Sequence, residues 1–202
     1  MKMTEEDYNF FDFTDLTEKQ IRKYIKKFGD DDDFWNVIAA YQTLSESFIR
    51  EFANKICWQN VTTCQDISEE FMDEFKDKID WNALCRWRRL NNTFMDKHAD
   101  KIDWFRIVSH QRLEEWFIEK HIDKLNFEKV LEYQQVSEDF IKRHKDKWID
   151  KNSCLNNIRA YQNPSPSFIK EITRQQQYLV NKWAKEELEK RKKRLEEDDV
   201  PF

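Results

Sequence analysis

Glycine is almost missing from this sequence: there is one, Gly29, in 202 residues, and only three prolines accompany it. Sheet proteins spend both residues on tight turns, and phosphate-cradling loops need several glycines close together. A mainly β fold and a nucleotide-binding loop are therefore not expected. Cysteine is scarce too. The four present (Cys57, Cys64, Cys85, Cys154) show no CxxC spacing, which argues against a zinc ribbon or a disulfide framework. No secretory h-region opens the chain, and no apolar run approaches the roughly 20 residues of a membrane span. The expectation is a soluble cytoplasmic protein whose reduced thiols lie in its core. Nor does one sign of charge dominate. The 35 basic and 40 acidic residues leave a net charge of -5, which gives no ground for generic nucleic-acid binding.

What is abundant is charge and aromatic rings together, 37% and 15% of the chain. That combination predicts narrow apolar stripes on many helices with charged outer faces. The phrase "DKIDW" occurs at 77–81 and again at 100–104, with "NKICW" at 54–58 and "DKLNF" at 123–127, all in one register of 23 residues. Units start at Leu44, Ile67, Leu90, Leu113 and Val136. A sixth starts at Leu16 and a half unit at Pro164, each 28 residues from its neighbour. The additional residues, "GDDDD" at 29–33 and "IDKNS" at 149–153, occupy the same slot, as a loop between stacked units accepts.

Each unit reads as two short helices. Thr17, Ser45, Ser68, Asn91, Ser137 and Ser165 are placed to cap the first helix, with Glu114 the exception. Apolar residues before the cap and five later, such as Ile67 and Met72, have hydrophobic-staple spacing. Phe48, Phe71, Phe94, Phe117, Phe140 and Phe168 form one buried column. The lysine of "DKIDW" is expected to end the first helix, the aspartate to cap the second and the tryptophan to anchor both. The fold class implied is all-α: a solenoid of six repeats and a half over 16–172. Residues 1–15 are expected to form a docked cap or a mobile arm. Residues 173–202 are expected to form a charged helix uninterrupted before Pro201, with Tyr178, Leu179 and Trp183 packed on the last repeat.

The repeats "ISEEFMDEFKDKIDWNALCRWRR" and "LEEWFIEKHIDKLNFEKVLEYQQ" resemble tandem repeats in uncharacterised proteins of bacteriophages and large DNA viruses. The resemblance covers 16–172 and is specific for repeat type rather than activity. It implies a viral or mobile-element origin and a host protein as partner, such as a nucleoprotein defence complex inhibited in the anti-CRISPR manner.

Two columns invite chemistry. His98, His121 and His144 share a column with Phe52 and Phe75, so packing is expected rather than a metal site. A Gln column (Gln42, Gln65, Gln111, Gln134, Gln162, interrupted by Arg88) is expected to cap carbonyls at the turn into the next unit. Neither a catalytic residue nor a cofactor is expected, and the chain is read as no enzyme. Partner contacts are expected where units vary on second helices: Asn82, Arg86, Trp87, Arg89, Phe105, Arg106, Ser109, Glu128, Lys129 and Glu132. The alternative is nucleic acid, held by the basic and aromatic patch at 86–89 or mimicked by acidic residues.

Overall fold

The structure, a computed structural model, describes residues 1–198; the expected stop at Pro201 lies outside the described residues. Fifteen helices and no strand occur among the described residues. They fall into two compact units, Met1–Gln111 and Arg112–Phe202.

Unit 1 holds α1 (Glu5–Phe13), α2 (Glu18–Phe28), α3 (Asp32–Tyr41), α4 (Glu46–Glu51), α5 (Trp58–Cys64), α6 (Glu69–Glu74), α7 (Trp81–Trp87), α8 (Asn92–Lys97) and α9 (Trp104–His110). Unit 2 holds α10 (Glu115–Lys120), α11 (Phe127–Tyr133), α12 (Glu138–Arg143), α13 (Lys145–Trp148), α14 (Asn152–Tyr161) and α15 (Pro166–Asp198). Helices of six or seven residues are too short to persist in water on their own. Here caps and packing sustain them. Ser45, Ser68, Asn91 and Ser137 each accept the N–H of the phenylalanine three residues on, and those phenylalanines are buried. Asp80 and Asp103 cap α7 and α9 in the same way. Glu114 makes no side-chain cap bond.

In unit 1 the second helices pack in order: α3 on α5, α5 on α7, α7 on α9. The tryptophan that opens α5 and α7 ties the joint together. Trp58 donates its indole N–H to the Ala53 carbonyl, 2.8 Å away, in the turn after its own first helix. Its ring packs 6.1 Å from Phe71 and 4.8 Å from Phe75 of the next repeat. Trp81 repeats the pattern with the Lys76 carbonyl, Phe94 and His98. The expected anchor thus joins its own turn to the following repeat.

Three corrections concern local structure. Lys27 stands in the last turn of α2 as expected, but α4, α6 and α8 end before their lysines: Lys55, Lys78 and Lys101 lie in the turns that follow. Their ammonium groups bond to the preceding repeat, Lys55 to Gly29 and Asp30, Lys78 to Ala53 and Asn54, Lys101 to Asp77. The extra residues at 29–33 and 149–153 are not wholly loop, because α3 and α14 reach ten residues where α5, α7, α9 and α11 have seven. Finally, α15 runs from Pro166 without a break across 172 and 173. Tyr178 and Trp183 on it are exposed, and only Leu179 is half-buried.

Residues 1–15 dock. Phe11 is fully buried, with its ring 5.0 Å from Tyr24 and 5.5 Å from Phe34.

Candidate functional site

The Gln column fixes the geometry of everything near it. Gln65 accepts the Leu44 N–H at 2.9 Å through Oε1 and donates through Nε2 to the carbonyls of Ala39 and Gln42. Gln111 does the same with Leu90, Cys85 and Arg88, and Gln162 with Val136, Leu131 and Gln134. Each buried amide therefore closes the C-terminus of the previous second helix, satisfying groups that would otherwise lose water without a partner. Arg88 stands in the column with donors only. It bonds to the carbonyls of Gln65 and Ile67 and has no lone pair for the Ile67 N–H. Arg88→Gln is expected to raise stability by about 1 kcal/mol in urea denaturation, by supplying that acceptor.

Gln42 extends the ladder to the N-terminus. It accepts the Leu16 N–H and donates to the carbonyls of Phe11 and Thr14. Thr14 thus occupies the Gln position, and α1 is the second helix of a degenerate repeat. The chain carries one tetrad seven times: "FTDL" at 13, "YQTL" at 41, "CQDI" at 64, "WRRL" at 87, "HQRL" at 110, "YQQV" at 133 and "YQNP" at 161.

A second ladder runs along the first helices, built from acidic residues of their first turns. Glu18 accepts the Ser45 N–H, Glu46 the Ser68 N–H and Glu69 the Asn91 N–H in unit 1. Glu115 serves Ser137, and Glu138 serves Ser165, in unit 2. Lys142, and then the Ser165 N–H and hydroxyl, hold the Glu138 carboxyl at about 2, down from 4.5. Glu46 is lowered as well: burial pushes it up, and the Ser68 bonds and Arg50 outweigh that. A carboxyl depressed on folding stabilises fully above its unfolded value and ceases to do so as protonation proceeds. The melting temperature is therefore expected to fall as pH drops from 4.5 toward 2. Glu138→Gln is expected to flatten that limb, measured by circular dichroism.

The histidine column packs as expected. His98 is buried between Phe94 at 4.6 Å and Trp81 at 4.9 Å, while His121 lies 4.9 Å from Phe117. Desolvation lowers the His98 pKa against the pull of Asp73, whose carboxylate lies 3.1 Å from Nε2 without hydrogen-bond geometry. Two of the four cysteines are core residues as expected. Burial pushes the thiols of Cys85 and Cys154 up, which keeps them protonated at neutral pH. Cys57 is half-buried, and Cys64 corrects the expectation by being exposed.

Of the expected partner residues, Asn82, Arg86, Trp87, Arg89 and Phe105 are exposed on or just after α7 and on α9. Trp87 and Phe105 expose 65% and 76% of their surface, and the Arg86 guanidinium lies 4.6 Å from the Trp87 ring centre. Arg106 and Ser109 are half-buried, with Arg106 paired to Asp103 at 3.1 Å and Ser109 bonded to the Arg106 carbonyl. In unit 2, Glu128, Lys129 and Glu132 are half-buried on α11, and Lys129 pairs with Glu132 at 2.7 Å. The exposed set therefore belongs to unit 1.

Sequence reading missed a further feature. The residue before each ladder position is exposed in every repeat: Phe13, Tyr41, Cys64, Trp87 and His110 in unit 1, Tyr133 and Tyr161 in unit 2. Six of these seven carry a ring. Comparison with protein-family models, with curated proteins and with solved structures finds no match for the chain.

Proposed function

We propose that the protein acts by non-covalent binding of a protein partner, through the second-helix face of unit 1. One observation carries this reading: Trp87 and Phe105 stand exposed on two helices that pack together, with Arg86 and Arg89 beside them. Aromatic rings and arginines are the residue types in which binding energy concentrates at protein interfaces. A scaffold held by repeated side-chain ladders presents them at little entropic cost. Supporting the same reading, the recurrence of equivalent bonds from repeat to repeat fits α-solenoid stacking within each unit.

The partner class follows from the resemblance to phage and viral repeat proteins. It is a host protein, and the action is inhibition or bridging by covering its surface, with no reaction catalysed. Nucleic acid is the second reading, favoured by the Arg86–Trp87 stack, which has the composition of a base-stacking platform. The deciding experiment is affinity capture from host extract, with and without nuclease, using the natural chain and a Trp87→Ala/Phe105→Ala variant. A protein retained after nuclease treatment by the natural chain and lost with the variant supports the proposal. Capture abolished by nuclease, or unchanged in the variant, overturns it.

A further inference from the structure

Resting on the protein-partner reading, we infer that the ring column of unit 1 is a track for one extended segment of that partner: a proline-rich peptide in polyproline II conformation, with one acidic end and one basic end. The track consists of Phe13, Tyr41, Cys64, Trp87 and His110, all exposed. Each sits directly before the ladder residue, and the ladder bonds of Gln42, Gln65 and Gln111 recur on equivalent atoms. Successive rings are therefore offset by the step between packed neighbouring helices, about 8–10 Å. A polyproline II helix turns once in three residues of roughly 3.1 Å, so it returns the same face about every 9.3 Å. One pyrrolidine face per turn then meets one ring per repeat, in the manner of aromatic grooves that hold such ligands. A β-strand, which alternates faces about every 3.3 Å, returns one face near 6.6 Å and falls out of step.

Charge selects the occupant further. At the Phe13 end the exposed neighbours are Asp12 and Asp15; at the Trp87 end they are Arg86 and Arg89. Asp66, fully exposed and 3.5 Å from the Arg88 guanidinium, follows the Cys64 turn midway. A polyanion would be attracted at the Trp87 end and repelled at the Phe13 end. A peptide with lysines over Phe13 and carboxylates over Trp87 is attracted throughout, and in one direction only. At Cys64 the row carries a thiol in place of a ring, a smaller side chain that suits a residue bulkier than proline at that step.

The test uses the full chain and two synthetic peptides, Lys-Lys-(Pro)9-Glu-Glu and its reversed-charge partner Glu-Glu-(Pro)9-Lys-Lys. About 9 prolines extend roughly 28 Å, matching the three repeat steps from Phe13 to Trp87. Binding is followed by tryptophan fluorescence and by calorimetry. One of the two peptides is expected to bind saturably, and the other about tenfold more weakly. Trp87→Ala and Tyr41→Ala are each expected to weaken binding about tenfold, and Trp183→Ala, exposed on α15, to leave it unchanged. A Gly-Ser core between the same charged ends is expected to bind at least about tenfold more weakly, because it lacks the preformed helix. The inference falls if neither peptide saturates by about 1 mM, if Trp87→Ala binds as the natural chain does, or if a thymidine 12-mer binds tighter than both peptides. Absence of peptide binding beside a partner still captured through Trp87 and Phe105 would overturn the track and leave the protein-partner reading standing. Loss of both would overturn the two together.

Discussion

Replacing Gln65 by leucine is expected to destabilise the protein by about 3–6 kcal/mol, although glutamine and leucine have similar volumes. The side chain is buried and closes three backbone groups, the Leu44 N–H and the carbonyls of Ala39 and Gln42. Leucine fills the space and leaves all three unpaired in a site that water does not reach. Leaving a buried polar group unsatisfied costs about 1–3 kcal/mol each, and the hydrophobic gain from leucine offsets only part of that. Gln59→Leu is the control. Gln59 is exposed on the same helix and its side chain makes no ladder bond, so a change within about 0.5 kcal/mol is expected. Urea denaturation of the two variants decides the matter. A loss below about 1 kcal/mol for Gln65→Leu would mean that the amide ladder is replaceable by packing.

The second large effect is expected at the other end of unit 1. Phe11→Ala should cost about 3–5 kcal/mol, the ordinary range for deleting a buried phenylalanine ring. Its ring meets Tyr24, Phe28 and Phe34, and α1 contributes no other buried side chain. With the ring gone, α1 keeps the carbonyl bonds from Gln42 and its own Thr4 capping box, neither of which buries apolar area. Hydrogen exchange is therefore expected to accelerate first over 5–13 and at the Leu16 amide, which Gln42 holds. Unchanged protection there would show that α1 is retained by its hydrogen bonds alone.

Most of the repeat was legible because its signals are local. Caps such as Ser68 and Asp80, the staple pairs and the Phe71 column are each read within one helix, where spacing determines facing. The glutamine ladder was also legible, since an amide recurring at the ends of α3, α5, α9, α11 and α14 has few other uses. What escaped lay between repeats. Glu46 reads as a first-turn acid, yet it accepts an N–H 22 positions later, and no one-helix argument reaches that far. Lys78 was placed at a helix end by its charge, whereas the helix stops at Glu74 and the ammonium reaches back to Asn54. Trp87 was expected at the surface, but the row it belongs to was hidden by Cys64 and His110, which break its chemical uniformity. Tyr178 and Trp183 failed because apolar rings on a long helix were assigned to a core that does not reach them.

The ladder also gives the chain a direction in time. Each glutamine closes the helix before it, never its own, across 21 to 31 positions. A repeat leaving the ribosome is therefore unfinished until most of its successor has followed. Its last carbonyls wait on an amide not yet synthesised. Within each unit folding would lag synthesis by one repeat, a moving seam that advances toward the C-terminus as the chain grows.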